Sequence, residues 1–155
     1  MATPQMLAQD VFSYLRPEQI NAIHNASEVV EQRAGDVVYS QGEPGKYLYV
    51  LLDGQVTLRL PGKKGLSILI ETVGRGAMFG AGASLEPRPY TLTAQCLADS
   101  KVLRIETALL RRLMDEDCRM GYALQKRVSD VYFKRYIETM QKLQAIVTSI
   151  PLEAQ

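Results

Sequence analysis

Hydrophobic and polar positions along the 155-residue chain change rhythm twice. The segment from Pro17, PEQINAIHNASEVVEQ, places Ile20, Ile23, Val29 and Val30 on one face of a helix that runs toward Gly35. Proline suits a first helical position, where its missing N–H would have no partner anyway. From Gly35 to about Glu106 the rhythm is that of short strands separated by recurrent glycines. The runs are Val37 to Tyr39, Tyr47 to Leu52, Val56 to Leu60, Leu66 to Thr72, Thr91 to Cys96 and Val102 to Ile105. Val56, Leu58 and Leu60 alternate with Thr57 and Arg59, the period of a strand with one buried face. Pro61 to Gly65, PGKKG, reads as a hairpin tip. No helical stretch separates these strands, which disfavours a parallel α/β sheet and favours a sandwich or barrel.

The rest of the chain returns to helix: a short segment, TALLRRLMDED, then a long one from about Arg119 to Ser149. Leu124, Val128 and Val131 suit packing on the chain's own strands. Further on, Phe133, Tyr136, Met140, Leu143, Val147 and Ile150 repeat at alternating steps of three and four. That is a heptad seam, and the expected cover is the same helix of a second copy. The competing expectation is that the seam packs back on the chain's own barrel.

Composition narrows the function classes. Eighteen basic against seventeen acidic residues leave a net charge of +1, too little for a general nucleic-acid or lipid field. Two cysteines, Cys96 and Cys118, are too few for a disulfide framework and fit a reducing, cytoplasmic setting. A single histidine, His24, cannot build a histidine-rich metal site, and its distance in sequence and motif from Cys96 and Cys118 makes no Ser-His or Cys-His pair credible. The first residues show neither a secretory signal nor a span-length apolar run, so no membrane partner is expected. An enzyme is not expected.

The stretch GDVVYSQGEPGKYLYVLLDGQVTLRL, Gly35 to Leu60, sets Gly35-Asp36, Gly42-Glu43, an aromatic-hydrophobic strand and Gly54 in order. It resembles the front half of a cyclic-nucleotide-binding domain of the cAMP receptor protein and fumarate–nitrate regulator superfamily, in a stand-alone bacterial form. The resemblance implies a mainly β fold: a double-stranded, jelly-roll-like β-roll with flanking helices. One domain then fills the chain, with N-terminal helices over 1–34, the β-roll over 35–106 and C-terminal helices over 107–155.

GAMFGAGASLEPRPYTLTA, Gly76 to Ala94, is similar to that family's phosphate-binding cassette. The implied ligand residues are Phe79, Gly80, Ala81, Gly82, Ala83, Ser84, Arg88, Tyr90 and Thr91. Backbone N–H groups at a helix start suit a cyclic phosphate, and an arginine adds a fork of charged donors. The resemblance also implies a glutamate that accepts from the ribose hydroxyl, and here that place holds Ala81. Such a bond is worth roughly 1.5–3 kcal/mol, so its loss should weaken nucleotide binding about 10- to 150-fold. The interval from Gly80 to Arg88 is shorter than in typical members. Tyr90 stands where the family prefers a small residue, either filling the ligand volume or offering a stacking face.

The resulting expectation is a sensory, regulatory domain with a small anionic ligand, cAMP or cGMP among the candidates. It signals through a homodimer formed by Phe133, Tyr136, Met140, Leu143 and Val147, to an effector protein still to be named. Two other roles fit the same residues: a ligand-free dimerisation module with a degenerate pocket, and a regulatory fragment of a transcription regulator or channel. The chain ends at Gln155, shortly after Pro151, so a following helix-turn-helix, and DNA binding through it, is not expected.

Overall fold

The computed structural model describes residues 15–149. Helix α1 (Pro17–Ala26) starts at the predicted proline, and Gln19 Oε1 accepts from the Arg16 backbone N–H to close its first turn. Eight strands follow: β1 (Ser27–Gln32), β2 (Val37–Tyr39), β3 (Tyr47–Asp53), β4 (Val56–Pro61), β5 (Ser67–Val73), β6 (Met78–Phe79), β7 (Thr93–Cys96) and β8 (Ser100–Glu106). Helices α2 (Thr107–Glu116) and α3 (Cys118–Thr148) complete the described chain. The strands form two antiparallel four-stranded sheets, ordered β1-β8-β3-β6 and β2-β7-β4-β5. This is the expected β-roll with flanking helices.

One helical expectation is corrected. Residues 27–32, read as the end of the first helix, are strand β1, paired from Ser27 opposite Ile105 to Gln32 opposite Ser100. Val29 and Val30, taken as neighbours on one helix face, point to opposite sides of the sheet. Val29 packs toward the helices and Val30 toward the inside of the roll. The free edge of β8 needs backbone partners, and two β-branched residues fit a strand that packs partly against a core on each face. The two-residue β6 was not foreseen, being too short to show a period.

The same alternation builds two cores. On β3, Leu48 and Val50 join the helices in one core with Ile23, Leu110, Leu124 and Val128. Tyr49 and Leu51 face the second sheet in another, with Val56, Leu58, Phe79 and Val102. Burial on both faces explains why Tyr47 to Leu52 is nearly continuous in apolar character. Gly54, at φ +97°, turns β3 into β4 where a Cβ would stand 2.6 Å from the Asp99 carbonyl oxygen. Only glycine takes that conformation without strain.

At the α2–α3 junction, Asp117 caps α3 by accepting from the Arg119 and Met120 N–H groups at 3.1 and 3.2 Å. It also accepts from Arg16 at 2.7 Å and from Gln19, tying α1 to the start of the long helix. Those donors hold its carboxyl below the usual range, the Met120 backbone N–H foremost.

Candidate functional site

The cassette begins where β6 ends. Gly80 adopts φ +69°, and a Cβ there would come within 3.1 Å of the Tyr39 ring and 3.2 Å of the Tyr90 ring. A single helical turn, Gly82–Ser84, follows, fastened by the Ser84 hydroxyl donating to the Ala81 carbonyl at 2.6 Å. Arg111 of α2 donates to the Ala83 carbonyl at 2.5 Å, so the turn is braced from the helical side. Beyond it, the backbones of Pro44 and Pro89 form an isolated bridge. Gly45 N–H donates to the Arg88 carbonyl at 3.1 Å, and Tyr90 N–H to the Glu43 carbonyl at 2.9 Å. The chain bearing Arg88 is therefore fixed at its backbone while its side chain reaches outward.

A cavity of about 250 Å³ lies between this cassette and α3. Gly80, Gly82, Ala83, Arg88, Tyr90 and Thr91, six of the residues singled out from sequence, line it. Phe79 and Ala81 instead belong to the two hydrophobic cores, and Ser84 is fully buried. Ala81 sits in the helix-side core, so no acid stands at the position the family resemblance gives to glutamate.

Sequence reasoning missed the rest of the wall. Tyr39 comes from β2, and Val128, Ser129, Tyr132 and Arg135 from α3. Val128, Tyr132 and Arg135 follow at steps of four and three, which puts them on one helix face. That spacing was the available clue. Arg135 has a side chain only 11% exposed. Its Nε and Nη2 donate to Glu71 Oε2 of β5 at 3.1 and 2.7 Å, and its guanidinium lies 5.0 Å from the Tyr132 ring centre. Lys142, two turns further along, donates to the Ile70 carbonyl at 2.9 Å.

The tyrosines define the floor. Tyr39 and Tyr90 stack with ring centres 3.7 Å apart and planes 16° from parallel. The Tyr90 hydroxyl accepts from Tyr47 N–H at 3.1 Å and donates to the Tyr47 carbonyl at 2.8 Å. Burial raises the pKa of Tyr39, Tyr49 and Tyr90, so these phenols are neutral near pH 7. Tyr90 is thus a fixed part of the wall whose ring is stacked against a partner within the chain. Arg88 pairs with Glu86, two residues back and exposed.

The predicted seam is bare of cover from its own roll. Phe133, Tyr136, Met140, Leu143 and Val147 are all exposed, and Phe133 stacks on Tyr136 at 6.3 Å. Ile150, the last seam position, lies outside the described residues. His24 is half-buried, and its Nδ1 has no hydrogen-bond partner among the described residues. Among the described residues no group of three or more His, Cys, Asp or Glu could hold a metal ion. Nor is any helix long and apolar enough to cross a membrane.

This arrangement, a β-roll whose glycine-rich turn faces a long helix across a small cavity, defines a class. The model of the cyclic nucleotide-binding domain matches residues 29–117, and the chain belongs to that family. Among curated relatives, the CRP-like cAMP-activated global transcriptional regulator of Mycobacterium tuberculosis is 27% identical over 65% of this chain and 45% of its own. The cAMP-dependent protein kinase regulatory subunit of Dictyostelium discoideum is 26% identical over 90% of this chain and 43% of its own. The chain therefore spans under half the length of these relatives, both of which are regulators by name. A solved structure from Geobacter metallireducens, described as that of a "Putative Cyclic nucleotide-binding protein", superposes with a TM-score of 0.77 at 26% identity. It covers 88% of this chain and 99% of that one.

Proposed function

We propose that this domain is a non-catalytic sensor, in the cytoplasm, of a small anionic ligand held between the cassette and α3. The single observation that carries the reading is the makeup of the cavity, with Arg88 and Thr91 on the cassette wall and Tyr132 and Arg135 on the helix wall. A ligand there touches both halves of the molecule, so its binding energy biases the position of α3 against the roll. cAMP and cGMP are the first candidates, since the relatives named above are cAMP-activated or cAMP-dependent. Gly80, Gly82 and Ala83 offer close backbone approach, Arg88 the charge, and Thr91 a hydroxyl, while Phe79, Ala81 and Ser84 support the turn from behind. The output passes through a homodimer along Phe133, Tyr136, Met140, Leu143 and Val147 to an effector protein.

A second reading, a ligand-free dimerisation module, has one observation in its favour: the Tyr39–Tyr90 stack already fills part of the site. Thermal unfolding with and without millimolar cAMP and cGMP separates the two. Ligand at about 100 times its dissociation constant adds roughly 2.7 kcal/mol. The sensor reading expects a rise in midpoint of that order for one nucleotide, abolished by Arg88→Ala. Unchanged midpoints with both nucleotides would favour the interaction module.

A further inference from the structure

Among the described residues the cavity wall contains no carboxylate, yet it carries two guanidinium groups from separate elements, Arg88 of the cassette and Arg135 of α3. Both face the same cavity of about 250 Å³, with Gly82 and Tyr132 on the wall they share. A Cβ on Gly82 would stand 3.7 Å from Arg88 Cδ and 3.1 Å from the Tyr132 hydroxyl. Arg135 in turn lies 5.0 Å from the centre of the Tyr132 ring. The absent side chain of Gly82 therefore leaves open the space between Arg88 and Tyr132. Each arginine is occupied by a carboxylate that is not part of the wall, Glu86 for Arg88 and Glu71 for Arg135. Both Nε and Nη2 of Arg135 share one oxygen of Glu71, and its Nη1 has no hydrogen-bond partner among the described residues.

We infer that the ligand of this site is a compact dianion, a terminal phosphomonoester or a molecule with two acidic groups, which bridges Arg88 and Arg135. The inference rests on the ligand-binding reading above and narrows it. A cyclic phosphodiester carries one negative charge, which one arginine and the turn's N–H groups suffice to match. A second, largely desolvated guanidinium is surplus to such a ligand, and Glu71, which lies outside the wall, pairs with it in the structure. A terminal phosphate or second acid group takes the place of Glu71, in the planar two-donor geometry that suits arginine. Ala81 removes the acid that would have repelled a second negative charge. The volume of about 250 Å³ holds the ligand to the size of a nucleoside monophosphate or smaller. Binding exchanges Glu71 for the ligand at Arg135, and so loosens the hold of α3 on β5 as the site fills.

The test is titration calorimetry of the full chain with 5′-AMP and with 3′,5′-cyclic AMP, the same base and sugar at different charge. Wild type, Arg88→Gln, Arg135→Gln, Arg135→Lys and Glu71→Gln are compared, each checked for unchanged circular dichroism. The expected result is tighter binding of 5′-AMP by about tenfold or more. Arg135→Gln erases that preference and leaves cyclic AMP within about threefold, Arg135→Lys restores part of it, and Arg88→Gln weakens both ligands. Glu71→Gln removes the competitor and strengthens 5′-AMP. Equal or tighter binding of cyclic AMP, indifferent to Arg135→Gln, would overturn the dianion and leave the sensor reading standing. Absence of binding by both ligands, in Glu71→Gln as in wild type, would overturn the two together.

Discussion

The two halves of α3 belong to one continuous helix of 31 residues, yet they meet different surroundings. Met120, Leu124 and Val128 of the first half are buried against β3, β8 and α2 in the helix-side core. Phe133, Tyr136, Met140, Leu143 and Val147 of the second half have comparable apolar character and stand exposed. At 1.5 Å per residue the helix is about 46 Å long, more than the strands beneath it can cover. Past Val128 its described polar ties to the roll are Arg135 to Glu71 and Lys142 to the Ile70 carbonyl, both on β5. Periodicity therefore tells that a helix has an apolar face but not what covers it. The cavity lies at the changeover, where Val128, Tyr132 and Arg135 span buried and exposed halves. A ligand placed there acts where packing of the helix against the roll gives out.

This contrast can be broken most sharply by truncating one large side chain in each half. Leu124→Ala, at a position fully excluded from solvent, should cost about 2–5 kcal/mol in urea unfolding. Leu143→Ala, at a position 51% exposed, should cost under about 1 kcal/mol when unfolding is measured at a concentration where the chain is monomeric. Equal losses would mean that the second half is packed as tightly as the first.

The seam itself is probed by Met140→Glu with Leu143→Glu. If the proposed homodimer forms along this seam, sedimentation should show a wild-type dimer replaced by a folded monomer, since two charges at adjacent core positions of a coiled coil have no partner. A dimer of unchanged mass would place the contact between copies elsewhere.

The smallest expected effect concerns the tie between α1 and the start of α3. The carboxyl of Asp117 is held below its ordinary pKa, so the folded state binds its proton less readily than the unfolded chain does. Its contribution is full above the ordinary carboxylate range and fades as pH falls through the lowered folded value. Asp117→Asn should therefore lower the unfolding midpoint near pH 7 and make less difference as the medium becomes strongly acidic. A difference that persists undiminished in acid would remove the charge from the account.

The β-roll was legible because its signals are local. Glycines at reversals, an alternating Val56–Leu60 and a continuous apolar β3 each follow from backbone sterics and burial within a few residues. Strand β1 was illegible for the opposite reason. The residues from Ser27 to Gln32 have a pattern compatible with either helix or strand, and the unpaired edge of β8, some seventy positions on, decides between them. The cassette half of the cavity was readable as a motif, with Gly80, Gly82, Arg88 and Thr91 in order. Its helix half was not, because Tyr132 and Arg135 gain their meaning only when α3 folds back across the turn.

What the chain determined by itself is thus the set of elements and the face each must bury, since these depend on side chains a few residues apart. Tertiary structure alone decided which faces meet. It set Ala81 into the core, paired Arg135 with Glu71, and stacked Tyr90 on Tyr39 across the floor of the site. Contacts between residues some fifty or more positions apart, such as those last two, depend on the closure of every intervening loop. No local spacing encodes that closure.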